Sequence, residues 1–353
     1  HILMENVPLN IIIDTHIPYI KGVLEPYVQS VRYLEPSAID AAAMADAHCL
    51  ITRTRTRVDA ALLDGSPCRM VATATIGTDH IDLAYCHSHG ITVANAPGCN
   101  APAVAQYVLS SVLALANRPM AQHTIGIVGV GHVGRIVERW ARALSMNVLC
   151  CDPPRAAAGD PGAWYNLDDI AARADVITFH TPLTRDGAYP TWHMCDATFV
   201  RSLRRAPIVI NAARGPVADT SAMLQGLRDG HIRAAVIDTW EDEPNINREL
   251  LEHASIATPH IAGYSREGKA RATAMVLNAV CHFFRLPQLL PIGAPVIPAE
   301  DLRPGAAPMP ADLRQGAVRL LQDTACLRAN PDNFEILRSA YDLRPEPRLA
   351  IAN

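Results

Sequence analysis

Three polar side chains stand at the ends of apolar runs in this chain: Arg214 after "IVINAA", Glu243 after "AVIDTW" and His260 after "SIATP". A guanidinium grips a carboxylate through two parallel hydrogen bonds. An imidazole takes a proton from a hydroxyl, and a carboxylate beside it raises the imidazole pKa and fixes its orientation. The set therefore suits removal of a hydride from a 2-hydroxy acid, with Arg214 on the carboxylate, His260 on the hydroxyl proton and Glu243 behind His260. Singly, each has a plainer reading: Arg214 as a surface charge, Glu243 as part of the acidic turn "EDEP", His260 as a hydrogen-bonded core imidazole.

A hydride needs an acceptor, and "TIGIVGVGHVG" offers a place for one. Gly129, Gly131 and Gly134 have the GxGxxG spacing between an apolar strand pattern and the helical "RIVERWARALS". The first glycine permits the tight turn, the second lets the backbone approach a pyrophosphate, and the third lets helix pack on strand. The helix N-terminus then faces the diphosphate. The next strand, "NVLCCD", ends at Asp152, 18 residues after Gly134. A carboxylate there bonds the ribose hydroxyls and repels a 2'-phosphate, which points to NAD rather than NADP. Arg155 close by pulls the other way, and a chance glycine-rich turn is the alternative to a site.

These residues need elements to bring them together. Short apolar runs "IIID", "CLIT", "MVATAT" and "ITVANA" alternate with helical stretches such as "DLAYCHSHG", which stops at Gly90. A long helix is expected from an N-cap at Asn100, with Pro102 in its first turn, to about Asn117. A second series follows: "TIGIVGV", "NVLCCD", "DVITFHTP", "PIVINAARG", "AAVIDTW" and "SIATPH". Strands alternating with helices predict parallel sheets covered on both faces. In such a sheet Arg214, Glu243 and His260 converge beyond the carboxyl ends of strands, on the ligand-binding edge. After the helical "REGKARATAMVLNAVCHFF" the composition changes at Pro287, and the last 67 residues carry ten prolines. Helical patterns near Ala311 to Leu327 and Asn333 to Tyr341 suggest an accessory or oligomerisation segment.

The expected class is α/β. A doubly wound, Rossmann parallel-sheet NAD domain, 102–264, is inserted in a second, flavodoxin-like α/β substrate or lid domain, 1–101 and 265–286. A small C-terminal α+β or helical accessory domain, 287–353, completes it. A chain of 353 residues is too long for one ordinary core. A net charge of -4 without a Lys/Arg block argues against a nucleic-acid partner. Nine scattered cysteines without a CxxC fit a reduced, cytoplasmic setting. The run "YVLSSVLALA" is about half of the roughly 20 residues a membrane span needs, and no secretory signal opens the chain. His87 and His89 in "CHSHG" lack further metal ligands at fitting spacing and read as a helix end, so no metal is expected.

One stretch remains: "ITRTRTRVD", Ile51 to Asp59. If extended, its period of two puts Arg53, Arg55 and Arg57 on one face. Neighbouring carboxylates, solvent or an anionic group of a substrate would each relieve their repulsion.

The motifs "ARG", "DTWEDEP" and "TPHIAG" resemble those of the D-isomer-specific 2-hydroxy acid dehydrogenases. That resemblance implies catalytic roles for Arg214, Glu243 and His260, and places Asp238 near the nicotinamide carboxamide. "IGTDHID", "APGCNA", "LCCDPPRA", "TFHTPL", "INAARGPVADT" and "PHIAGYSREGKAR" narrow it to members that oxidise a four-carbon acid carrying a C4 phosphate, in vitamin B6 biosynthesis. The similarity runs from about Asp14 to about Phe284. It further implies that Thr54, Thr75 and Tyr264 contact substrate, that Asp152, Thr181 and Gly263 contact NAD, and that the tail makes a homodimer. Thr54 stands where a serine is common and keeps its hydroxyl, while Thr15 and His16 replace an acidic residue and an amide.

A substrate with a carboxylate and a distal phosphate needs two anion sites. Arg214 serves one; Arg53, expected to be the most buried of the three arginines, and the amides of "TATIGT" around Gly77 are candidates for the other. Another 2-hydroxy acid dehydrogenase, for phosphoglycerate or a short apolar acid, is the alternative in the same class, and an apolar substrate leaves the arginines unexplained. An NAD-sensing binding module on the same fold, as among the family's corepressors, has no need of the intact Arg, Glu and His set.

Overall fold

The computed structural model describes residues 7–287 and 302–351. They fall into two units, one drawn from His1–Asn100 and Arg266–Ile297, the other from Ala101–Ser265 and Pro298–Asn353. Residues 288–301, where the tail expected from Pro287 begins, lie outside the described residues.

The first unit is built on five parallel strands: β1 (Val7–Asp14), β2 (Val28–Leu34), β3 (Cys49–Thr52), β4 (Met70–Thr73) and β5 (Thr92–Ala94). Their order, β2-β1-β3-β4-β5, is the flavodoxin-like one. Successive side chains point to opposite faces. Ile11 and Ile13 thus join Val276, Leu277 and Val280 of the helix Arg266–Phe284 in one core, while Ile12 joins Leu50, Val71 and Leu62 in another. β2 has no counterpart among the apolar runs: its "VQSVRYL" mixes polar and apolar residues because it is an edge strand with one buried residue.

The second unit holds six parallel strands: β6 (Thr124–Val128), β7 (Asn147–Cys151), β8 (Val176–Phe179), β9 (Ile208–Asn211), β10 (Ala234–Ile237) and β11 (Ile256–Ala257). They run in the order β11-β10-β9-β8-β6-β7. Ile125 and Ile127 pack toward the helices Ala101–Leu115 and His132–Ala143, and Val128, Ile177 and Phe179 toward the other face. The doubly wound α/β class expected from the alternating runs is the one observed.

The described part of the tail belongs to this second unit. Its helix Pro310–Ala329 buries Leu313, Ala317, Leu320, Thr324 and Leu327, a stripe at helical spacing. Edge strand β11 gains from it, since Thr324 Oγ1 accepts the Ala257 N–H at 3.1 Å, and Arg328 donates to the Leu251 and Ala254 carbonyls at the end of the helix Arg248–His253 just before it. An edge strand leaves backbone groups unpaired, and the tail supplies a partner for the Ala257 N–H. A short antiparallel pair, β12 (Ala306–Pro308) and β13 (Leu349–Ile351), brings the tail back on itself.

The expected extended run of arginines is not observed. β3 ends at Thr52, because its neighbours end there: Ile51 pairs with Ile13 near the end of β1, and Thr52 with Thr73, the last residue of β4. With no ladder left to extend, residues 53–57 leave the strand conformation, turning at 54–55, and period-two alternation does not govern the arginines.

Gly316 fixes how the tail helix meets Ala101–Leu115: a Cβ there would stand 2.4 Å from Ser110 Oγ and 3.2 Å from Ser110 Cβ. Gly316→Val is expected to cost about 1–3 kcal/mol of stability, read as a lower midpoint in urea. An unchanged midpoint would mean that the two helices do not meet at this point in solution.

Candidate active site

Strands β9, β10 and β11 are neighbours, and Arg214, Glu243 and His260 lie on the loops that leave their carboxyl ends. Gly215 lets the first two loops touch. A Cβ on it would lie 1.9 Å from the Trp240 carbonyl oxygen, so only glycine fits. Arg214 is exposed, and one guanidinium N–H is bonded to its own neighbour, the Ala213 carbonyl, at 2.8 Å.

Glu243 and His260 are in direct contact. Glu243 Oε2 lies 2.9 Å from His260 Nδ1, and Oε1 accepts the Trp240 N–H at 2.9 Å. A carboxylate only accepts, so Nδ1 carries the hydrogen and Nε2 is left with the lone pair of a base. Burial pushes the Glu243 carboxyl up. The His260 hydrogen bond and charge, the Trp240 N–H and the Arg338 charge outweigh it and hold the group below its ordinary value.

His260 sits at φ 59, left-handed for a residue that is not glycine. Such a conformation costs on the order of 1–3 kcal/mol and persists only where its surroundings enforce it. Asp238, 1 % exposed, does so. Its carbonyl accepts the His260 N–H at 2.9 Å. Its carboxylate accepts from the Ile261 N–H at 2.8 Å, the Ala262 N–H at 3.0 Å and the Thr258 hydroxyl at 2.7 Å. Burial raises the Asp238 carboxyl above its ordinary value against the pull of His260 and these hydrogen bonds. The structure thus places Asp238 beneath the loop that carries His260, Gly263 and Tyr264.

The glycine turn follows β6, where the strand order reverses. Gly129 has φ 90, and a Cβ on it would stand 2.6 Å from the His180 carbonyl oxygen and 3.0 Å from Thr181 Cγ2. At Gly134 a Cβ would meet the Gly129 carbonyl oxygen at 2.2 Å, the close packing expected of the third glycine. At Gly131, by contrast, nothing lies within 4 Å of that position, so the turn is open where a pyrophosphate approaches. Asp152, at the end of β7, accepts the Val130 N–H at 2.8 Å and caps the helix Pro153–Ala157 through the Arg155 N–H. The Arg155 guanidinium is engaged by Asp160 at 2.6 Å and the Val130 carbonyl at 2.8 Å, and lies over Trp164. The arginine that argued for a 2'-phosphate is therefore already committed, and the donors and acceptors around the turn fit NAD.

Arg53, Thr54 and Thr75 belong to the other unit. Arg53 Nε meets Asp14 Oδ2 at 3.0 Å, with the arginine side chain 29 % exposed and Asp14 fully buried. Arg57 lies 3.6 Å from Asp59 and Arg55 is exposed. Neighbouring carboxylates thus serve at least two of the three arginines. Thr54 is exposed in the turn. Thr75 Oγ1 is 2.6 Å from Thr73 Oγ1 and donates to the Gly77 carbonyl at 2.9 Å. Asp79 Oδ2 would lie 3.5 Å from a Cβ on Gly77, an acceptor where an anion site wants donors. His16 pairs with Glu35 at 2.6 Å. All nine cysteines are free thiols, and no cluster of metal ligands occurs among the described residues.

Two residues escaped the sequence reading. Arg344 donates to the carbonyls of Ile261, Ala262 and Tyr264, and Arg338 Nε to the Tyr264 hydroxyl at 3.2 Å. Neither carries a local signal, since their partners lie some 80 positions away.

Residues 105–262 match the family model described as D-isomer specific 2-hydroxyacid dehydrogenase, NAD binding domain. Over 348 residues the chain is 44% identical to erythronate-4-phosphate dehydrogenase of Bacteroides thetaiotaomicron, covering 96% of this chain and 98% of that one. It is 41% identical to the Escherichia coli enzyme of the same name over 352 residues, 96% of this chain and 92% of the other. Among solved structures, D-lactate dehydrogenase from Aquifex aeolicus, complexed with NAD and lactic acid, shares the fold with a TM-score of 0.62 at 23% identity, over 78% of this chain and 96% of that one. With identities of 41–44% over 96% of its length, an open glycine turn and a histidine-glutamate couple on adjacent strand ends, the chain belongs to the D-isomer-specific 2-hydroxyacid dehydrogenase family.

Proposed function

We propose that this chain oxidises 4-phospho-D-erythronate at C2 to 2-oxo-3-hydroxy-4-phosphobutanoate, with NAD, in the formation of pyridoxal 5'-phosphate. The observation that carries the chemistry is the 2.9 Å bond between His260 Nδ1 and Glu243, which leaves Nε2 as the base. The choice of substrate is supported by the name and near-complete coverage of the relatives.

His260 Nε2 takes the C2 hydroxyl proton, and Glu243 stabilises the imidazolium that forms. Arg214, exposed after β9, holds the C1 carboxylate and the developing carbonyl oxygen. Gly129, Gly131, Gly134, Asp152, Thr181 and Gly263 would hold NAD, which would supply the acceptor for the hydride. Asp238 fixes the loop beside it. Thr54, Thr75, Tyr264 and Arg53 are the candidate substrate contacts, Arg53 having its Nε bonded to Asp14. Assembly as a homodimer through the tail and a cytoplasmic location are part of the same reading. No helix among the described residues is long and apolar enough to cross a membrane.

NADH formation from 4-phospho-D-erythronate is expected to exceed that from D-erythronate, 3-phosphoglycerate and D-lactate under identical conditions. Equal turnover of D-lactate would keep the chemistry and sink the phosphate reading. His260→Ala is expected to reduce kcat by about 10²–10⁴-fold while NADH fluorescence titration still reports binding; retained turnover would remove the base from His260, and dispensable turnover altogether would favour a sensing module. Glu243→Gln, which keeps the shape and loses the charge, should lower kcat/KM by at least about tenfold, or 1.36 kcal/mol.

Asp152→Asn keeps an acceptor on the Val130 N–H but removes the charge that repels a 2'-phosphate. Its NADP-to-NAD ratio of kcat/KM is expected to rise by at least roughly tenfold. An unchanged ratio would place cofactor choice elsewhere.

A further inference from the structure

Arg344 is 4 % exposed, and a buried guanidinium must place five N–H donors. Each has an acceptor. Nε donates to Gln106 Oε1 at 3.2 Å, Nη1 to the carbonyls of Ile261 at 2.8 Å and Tyr264 at 3.2 Å, and Nη2 to the carbonyls of Ala103 at 2.9 Å and Ala262. Three of the five acceptors are therefore peptides of the loop that carries His260. The N–H groups of the same Ile261 and Ala262 are taken by Asp238. Lysine, with three donors on a single nitrogen, cannot reproduce this fork.

The neighbourhood repeats the theme. Gln106 Nε2 donates to the Pro345 carbonyl at 3.0 Å, and Ser265 Oγ bonds Glu346 Oε1 at 2.8 Å, itself 6 % exposed. Ser265 and Arg344 form a short parallel bridge. One helix back, Arg338 Nε reaches the Tyr264 hydroxyl at 3.2 Å, and the Tyr264 ring meets Tyr341 edge-on at 6.3 Å. Arg338 also lies within electrostatic reach of Glu243.

We propose that residues 338–346 of the C-terminal segment are a positioning element of the dehydrogenase site, with Arg344 holding the His260 loop and Arg338 holding the Tyr264 hydroxyl. The segment then does more than assemble subunits: without it the strand ends are present but the histidine loop lacks half of its restraints. This inference rests on the functional reading above.

The test compares full-length Arg344→Lys, Arg338→Met and Arg338→Lys with the wild-type chain. It uses the 2-hydroxy acid that wild type oxidises best, well below every melting temperature. Sites are counted by NADH titration, so that kcat is expressed per cofactor-binding site. A merely structural role would lower Tm and the number of sites and leave kcat per site unchanged. Positioning predicts NADH affinity within twofold of wild type in the two Arg338 variants. It predicts kcat per site at least tenfold lower in Arg344→Lys, KM for the acid at least fivefold higher in Arg338→Met, and partial recovery of that KM in Arg338→Lys. If Arg344→Lys does not fold, the Arg338 pair decides alone. Variants that match wild type within twofold per site overturn the inference and leave the functional reading standing; a wild-type chain that oxidises none of the acids overturns the functional reading, and this inference with it.

Discussion

The peptides that follow His260 are held by opposite charges on opposite sides, Asp238 taking their N–H groups and Arg344 their carbonyls. Neither charge is stable there alone. A buried donor or acceptor left without a partner costs about 1–3 kcal/mol, and Arg344 has five donors to satisfy. The loop in turn contains a histidine at φ 59, which needs outside restraint. Loop, acid and guanidinium therefore stabilise one another as a set, and the orientation of His260 toward Glu243 follows from that set.

The sheet explains why such restraint is needed at this place. Parallel strands deliver their loops to one edge, which brings Arg214, Glu243 and His260 together from positions far apart in the chain. Strand β11, however, pairs with β10 over only two residues. A strand this short contributes little ladder, and the loop after it draws its order from side chains instead. Tyr107 joins in through Thr258, whose hydroxyl lies 2.7 Å from the Tyr107 oxygen and 2.7 Å from Asp238 Oδ1. The core helix Ala101–Leu115 is thus tied to the same acid, and through Ala103 and Gln106 to the same guanidinium.

Much of this could be read from the sequence, because it is written locally. Gly129, Gly131, Gly134 and Asp152 lie within one strand-turn-helix-strand unit, and the apolar runs that become β6 to β11 are continuous because both faces are covered. Arg214, Glu243 and His260 were legible as polar residues closing such runs. Features set by partners were not. β2 carries too few buried residues to announce itself, and the length of β3 is decided by where β1 and β4 stop, so the arginines of "TRTRTR" were given a strand that ends before them. Arg344 illustrates the limit: nothing around "LRPEP" distinguishes it from a surface arginine, since its five acceptors lie 80 or more residues away.

That separation also orders events in time. Arg344 is translated 83 residues after Ile261, which at ribosomal speeds of about 5–20 residues per second is a delay of roughly 4 to 17 s. During it the strands of the second sheet are all available to fold, and the glycine turn with them, but the histidine loop has only its acid. In the growing polypeptide the glycine turn is thus complete before the histidine loop has its guanidinium, so that the restraint on His260 is among the last features it acquires.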